Sequence, residues 1–290
     1  MVIAAAGAIV ALIVIGLFVY VVGSLSGWWV KHASLDALIA LLEPAIRVYK
    51  PDGPGPFPAI LQVHGCGGAL PIQDDYAKAA RDAGALVMVL DSLTPRGIGY
   101  NEALLRVCTG HRLRGRERAG DVVAGLEMLR RRPDVDASRL AVAGWSHGGW
   151  TIMDLLALKT PREKPFNLKS VPANVWSGVK GIMLIYPYCG FPALTRERGW
   201  ATTDIPVQAL LVENDAIANE KASLAALEKA RANGAQIDID VWPGVTHAFD
   251  EEEHAPGSRL RYNAERTAES HRRYATWAQR TLGLESREHA

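Results

Sequence analysis

The stretch Ala141-Val142-Ala143-Gly144-Trp145-Ser146-His147-Gly148-Gly149-Trp150 limits what this chain can fold into more than any other. Leu140 to Ala143 is short and apolar, as a buried parallel strand is. Thr151 to Leu158 has Ile152, Leu155 and Leu156 at core-facing helical spacing. Between them lies Gly144-Trp145-Ser146-His147-Gly148, a G-x-S-x-G pattern in a strand-turn-helix setting. Such a turn holds its serine in a strained backbone position, and the flanking glycines let neighbouring chain come close. The serine oxygen is then exposed near a helix N-terminus, where the N–H of His147 can face a developing oxyanion. Ser146 is the candidate nucleophile. A glycine-rich turn with an incidental serine is the plainer alternative.

With 290 residues, 49% of them hydrophobic, the chain can bury a large core, and one α/β domain is the simplest division. A net charge of +1 gives no sign of a nucleic-acid partner. Cys66, Cys108 and Cys189 are too few and scattered for a disulfide scaffold or a cysteine zinc site. One bridge fits that count. The pair considered is Cys108 with Cys189, because both follow parallel strands and emerge at the same sheet edge; two unrelated buried thiols are the alternative. Such a bridge would imply an oxidising compartment.

Val2 to Val22 contains no charged residue, and a run of this length can span a bilayer. Trp28 and Trp29 beyond it suit the membrane interface. A cleaved signal peptide fits less well, since no Lys or Arg precedes the run and no A-x-A site follows. The division expected is a transmembrane anchor over 1–23, a juxtamembrane connector over 24–44 and a catalytic domain over 45–290. Lys31, Arg47 and Lys50 follow the span, which places the body in the cytoplasm by charge alone.

Beyond the anchor, strands and helices alternate. Strands are expected at Ile46–Tyr49, Ala59–Val63, Leu86–Leu90, Val179–Tyr186, Val207–Val212 and Ile237–Val241. Helices are expected at Ser34–Leu42, Asp75–Ala83, Arg114–Arg131, Glu220–Asn233 and Tyr262–Leu282. Pro51 to Pro58 reads as a Pro/Gly-rich turn. This alternation predicts a mostly parallel sheet with helices on both faces.

A serine needs a base to take its proton and a third group to orient that base. Asp215 follows the strand Val207–Val212, and His247 follows Ile237–Val241, so both fall at the carboxyl edge of the sheet. The order Ser146, Asp215, His247 is that of the α/β-hydrolases. Glu213 is the runner-up acid. The glycines of His64-Gly65-Cys66-Gly67-Gly68 suit an oxyanion loop, which makes the amides of Cys66 and His147 the expected donors. Arg96 and Trp145 are the candidate substrate-binding residues. For Arg96, in the loop Asp91–His111, the alternative is an ion pair with Asp121 or Glu117 within a solvated arginine cluster that also holds Arg106, Arg112, Arg114, Arg116 and Arg118. Asp250-Glu251-Glu252-Glu253-His254 reads as a solvated acidic turn, and no metal site is expected.

His64-Gly65-Cys66-Gly67-Gly68, Asp91-Ser92-Leu93-Thr94-Pro95-Arg96-Gly97, Gly144-Trp145-Ser146-His147-Gly148-Gly149 and Gly244-Val245-Thr246-His247-Ala248-Phe249 together resemble the dienelactone hydrolase family of α/β-hydrolases. The resemblance covers roughly Ile46 to Leu282. It implies hydrolysis of an ester or lactone by a nucleophile–His–Asp triad with no cofactor. Dienelactone hydrolases proper carry cysteine where this chain has Ser146, which points to a more general serine carboxylesterase acting on a small-molecule ester or lactone. The alternatives are a peptidase of the same fold and a non-catalytic, membrane-tethered binding protein.

Overall fold

The computed structural model describes residues 2–158, 163–200, 204–254 and 257–284, with side chains from residue 9 onward. Its centre is a sheet of seven strands: β1 (Arg47–Tyr49), β2 (Phe57–Val63), β3 (Leu86–Leu90), β4 (Val135–Trp145), β5 (Val179–Ile185), β6 (Val207–Val212) and β7 (Ile237–Trp242). Their order is β1-β3-β2-β4-β5-β6-β7. Only the pairing of β1 with β3 is antiparallel; the other five are parallel.

Side chains alternate between the faces of a strand, and the core divides accordingly. Leu61, Val63, Met88, Leu90, Leu140 and Val142 pack with the apolar sides of α2 (Leu35–Leu42), α5 (Gly115–Arg131), α6 (His147–Leu156) and α8 (Glu220–Ala232). Ile60, Val87, Val89, Ala141 and Ala143 face the other way, onto α3 (Pro71–Asp82) and α9 (Ala264–Leu282). Central strands buried on both faces require the near-continuous apolar runs that made them recognisable.

The boundaries moved where local chemistry extends an element. Helix α3 begins at Pro71, a residue suited to the first helical position because its missing N–H is unused there. Helix α6 starts at His147, directly after the serine, rather than at Thr151. Strand β4 runs from Val135, five residues before the apolar segment that marked it. The stretch 100–107 is helical in two short pieces, α4 (Tyr100–Glu102) and a π turn (Ala103–Val107). A five-residue helix, α7 (Leu194–Arg198), follows β5.

Before the sheet comes helix α1 (Val2–Leu25). Among the described residues no helix is long and apolar enough to cross a membrane. The anchor expected over 1–23 falls partly outside them: residue 1 is not described, nor are the side chains of 2–8. Ser34 caps α2 through its Oγ, which accepts from Ala37 N at 3.2 Å.

Candidate active site

Ser146 has φ 49° and ψ −111°, a backbone conformation that costs about 1–3 kcal/mol for a residue with a side chain. The turn is held from outside. Ser146 N donates to Ile185 O at 2.9 Å, and Tyr188 N donates to Ser146 O at 3.0 Å, so the carboxyl end of β5 fixes the elbow. Glycine is required beside it. A Cβ on Gly148 would stand 2.0 Å from Val63 O, and one on Gly144 would meet Gly148 C at 2.7 Å.

The three residues expected to act together do meet. His247 Nε2 lies 2.9 Å from Ser146 Oγ, and His247 Nδ1 lies 2.7 Å from Asp215 Oδ2. With the carboxylate accepting, Nδ1 carries the ring hydrogen and Nε2 is left to accept from the serine hydroxyl. Asp215 Oδ1 accepts from Ile217 N and Ala218 N at 2.9 and 2.8 Å, which fixes the carboxylate plane. Burial alone would raise the Asp215 pKa, but the hydrogen bond and charge of His247, with those two amides, outweigh it and hold it below the usual value. Glu213, the other candidate acid, is exposed and continues the sheet through its N–H to Trp242 O.

The glycine loop after β2 passes over the serine, since a Cβ on Gly65 would lie 3.7 Å from Ser146 Cβ. Its carbonyls are tied down from the opposite side. Arg118 Nη1 donates to His64 O at 2.8 Å, and His64 Nδ1 donates to Gly65 O at 2.6 Å. His64 Nε2 accepts from Ser92 N, which sets that tautomer. Because a trans peptide points its C=O and N–H in opposite directions, fixing Gly65 O turns the Cys66 N–H the other way.

The cysteine pairing differs from both readings of the sequence, a Cys108–Cys189 bridge and two unrelated buried thiols. Cys66 is bridged to Cys108, with Cα atoms 5.0 Å apart, and Cys189 is a buried free thiol. The loop after β3 builds its own small core from Leu93, Ile98, Ala103, Val107 and Leu113, against which Cys66 packs. That packing carries Cys108 to the glycine loop after β2 rather than to Cys189. Cys189 belongs to the main core, and burial followed by the charge of Asp154 pushes its thiol pKa up.

Neither proposed substrate-binding residue reaches the serine. Arg96 makes a two-pronged pair with Asp121, at 3.0 and 2.8 Å, and also donates to Ser92 O. Its fork is therefore spent inside the protein. Trp145 is 1% exposed and packs among Tyr76 and Tyr274, because the residue before the elbow still obeys the alternation of β4 and points into the core. The arginine cluster is not uniformly solvated either, for Arg118 is fully buried.

Sequence reasoning also missed Tyr186 and Asp250. Asp250 was assigned to a solvated turn, yet it is buried and accepts from Tyr76 Oη and Tyr186 Oη at 2.8 and 2.7 Å. Its position directly after Phe249, an apolar anchor, was the available signal. Burial, against the two phenol hydrogen bonds, pushes its carboxyl up to about 6. A cleft of about 570 Å³ opens beside these residues, between Leu70, Tyr100, Glu251 and His271, although neither Ser146 nor His247 forms its wall. Among the described residues no group of three His, Cys, Asp or Glu side chains is placed to hold a metal ion.

A strained serine between a parallel strand and a helix, aligned with a histidine and an aspartate from the next strand ends, defines an α/β-hydrolase. Solved structures share this fold: a Klebsiella pneumoniae protein assigned as a dienelactone hydrolase is 18% identical with TM-score 0.59, over 81% of this chain and 98% of that one. Thermogutta terrifontis esterase 2, phosphoramylated by tabun, is 14% identical with TM-score 0.61, over 84% and 91%. The profile of the dienelactone hydrolase family matches residues 171–282, and that of the prolyl oligopeptidase family matches residues 77–168. The chain is a hydrolase of the α/β-hydrolase fold, similar over residues 171–282 to the dienelactone hydrolase family. A curated relative, assigned as dipeptidyl-aminopeptidase B of Fusarium vanettenii, is 35% identical over 36% of this chain. That match spans 11% of the relative's own length.

Proposed function

We propose that this chain is a serine esterase that cleaves carboxylic esters or lactones through an acyl-enzyme. The observation that carries the reading is the line from Ser146 Oγ through His247 to Asp215. Ser146 Oγ attacks the ester carbonyl while His247 Nε2 takes its proton, and the carbonyl electron pair becomes an alkoxide facing the Cys66 and His147 amides. Collapse of that intermediate expels the alcohol, which takes the proton back from His247. Water, deprotonated by the same nitrogen, then releases the acid. Asp215 holds the required tautomer and stabilises the imidazolium without itself being protonated.

A fluorophosphonate probe tests this reading. It should label the wild-type protein at Ser146 and leave Ser146→Ala unlabelled, and the labelled enzyme should lose turnover of p-nitrophenyl butyrate. Labelling elsewhere, or turnover that survives complete labelling, would overturn it.

The matches to the prolyl oligopeptidase profile and to dipeptidyl-aminopeptidases favour a second reading, cleavage of a peptide bond at the same serine. Comparing peptide p-nitroanilides with p-nitrophenyl esters separates the two. A membrane location belongs to the proposal as well. It rests on the uncharged run Val2–Val22, on exposed aliphatic and aromatic side chains such as Leu12 and Phe18, and on the exposed Trp28 and Trp29. The Cys66–Cys108 bridge favours an oxidising compartment for the body, against the weak charge argument from Lys31, Arg47 and Lys50.

A further inference from the structure

Beneath the proposed oxyanion site lies a cation that, among the described residues, no carboxylate contacts directly. Arg118, on the first turn of α5, has 0% exposure. Its Nε donates to Ser92 Oγ at 2.9 Å and its Nη1 to His64 O at 2.8 Å. The same Nη1 lies 3.4 Å from His147 Nδ1, and Nη2 is buried with no hydrogen-bond partner. The nearby carboxylates are committed elsewhere: Asp121 binds Arg96 and Asn167 Nδ2, and Asp91 accepts from Leu93 N and Thr94 N. Burying a guanidinium without a paired anion is costly, so its retention in the core calls for a reason.

What it touches supplies one. The two amides assigned to the oxyanion belong to Cys66 and His147. Arg118 holds the carbonyl of His64, two residues before Cys66, and faces the ring of His147 itself. Both imidazoles remain neutral beside it, because burial and the guanidinium charge together hold their pKa values well below the ordinary histidine value. The imidazoles therefore add no charge of their own, and the field of the guanidinium is offset in part, without contact, by Asp121 and Asp91.

We propose that Arg118 is the positioning residue of the oxyanion site: through His64 O it sets the loop that presents the Cys66 N–H, and its buried charge, which no carboxylate contacts directly, favours the alkoxide formed when Ser146 attacks. This rests on the serine esterase reading. No atom of Arg118 need touch the substrate. In a low-dielectric interior a fixed cation that pays no reorganisation at the moment of reaction acts on the transition state more than on the neutral ester.

The test uses the full chain with Arg118→Gln and Arg118→Lys, a p-nitrophenyl ester as substrate, and a thioether trifluoromethyl ketone as probe. That ketone adds Ser146 Oγ to give a hemiketal alkoxide, so its affinity reports oxyanion stabilisation directly. Arg118→Gln should lower kcat roughly 10²-fold with KM within about threefold, and ketone affinity should fall by the same factor. Arg118→Lys, which keeps the charge, should retain ketone affinity within about tenfold of wild type. A folded Arg118→Gln enzyme with kcat within about threefold of wild type would sink the proposal. So would a loss of kcat that ketone affinity does not follow. If Arg118→Gln does not fold, Arg118→Lys decides: a folded lysine variant that loses roughly 10²-fold in ketone affinity refutes a role for the charge. Fluorophosphonate labelling keeps the two questions apart. An unlabelled wild type refutes the esterase reading, whereas a labelled wild type with unaffected arginine variants refutes only this inference.

Discussion

The ring of Tyr186 stands edge-on to the imidazole of His247, with centroids 4.7 Å apart and planes inclined by 62°. Its hydroxyl is spent on Asp250, so the ring cannot turn away without breaking a buried hydrogen bond. Asp250 in turn holds Tyr76, which packs against Trp145 in the same core cluster as Tyr186. The imidazole is thus seated on a wall that runs into the core. Tyr186→Ala should lower kcat roughly 10²-fold by letting the imidazole drift from the serine. Tyr186→Phe, which keeps the wall, should cost much less. Steady-state kinetics of the pair would refute this role if both variants lost activity equally.

The acid of the site is expected to be Asp215 alone. Asp215→Asn should lower kcat on the order of 10⁴-fold, because an amide in its place favours the wrong histidine tautomer. Glu213→Gln leaves every contact of His247 intact and should stay within about threefold of wild type. The reverse ranking would overturn the assignment.

These three residues were legible because the chemistry fixes both their types and their places: each follows a strand, in one chain order. Trp145 and the cysteines were not. For Arg96 the ion pair, one of the two readings the sequence offered, is the one that forms: its partner is Asp121, 25 residues away on α5, once the loop after β3 has packed. Trp145 adjoins Ser146 in sequence but obeys the alternation of a strand, which sends it into the core. Three cysteines permit three pairings, and sequence spacing does not choose among them. The local cluster of Leu93, Ile98 and Val107 does.

The bridge makes a prediction of its own. Alkylation of unfolded, unreduced protein should modify Cys189 and neither Cys66 nor Cys108. Cys66→Ser and Cys108→Ser should each lower stability by about 2–4 kcal/mol, as expected for a link across 42 residues. Labelled Cys108 in unreduced protein would refute the pairing, and unequal losses for the two variants would separate an added effect on the oxyanion loop.

Removing residues 1–27 should release active protein from membranes if the N-terminal run anchors the chain. Fractionation of full-length and truncated protein reads this directly. Full-length protein found in the soluble fraction with its N-terminus intact would remove the anchor.

The last prediction concerns Glu251, in the cleft next to the His247 loop. Burial, followed by the charge of Asp250, pushes its carboxyl from 4.5 up to about 8. The folded protein therefore keeps a proton there that the unfolded chain has released. Stability from this group is full below the unfolded value and is lost as pH rises towards the folded one, so unfolding free energy should fall between about pH 4.5 and 8 and then level off. Asp250, pushed up to about 6, adds a fall of the same sign only in the lower part of that window. In the upper part, from roughly pH 6.5 to 8, Glu251 titrates above Asp250 and below the range in which the buried Cys189 thiol adds a fall of the same sign. A glutamine there cannot ionise. Glu251→Gln should flatten the dependence of the melting temperature on pH and be the more stable protein at about pH 9. Melting curves of the two proteins that run parallel across this range would show that Glu251 ionises as an ordinary surface carboxylate and that its burial has no energetic consequence.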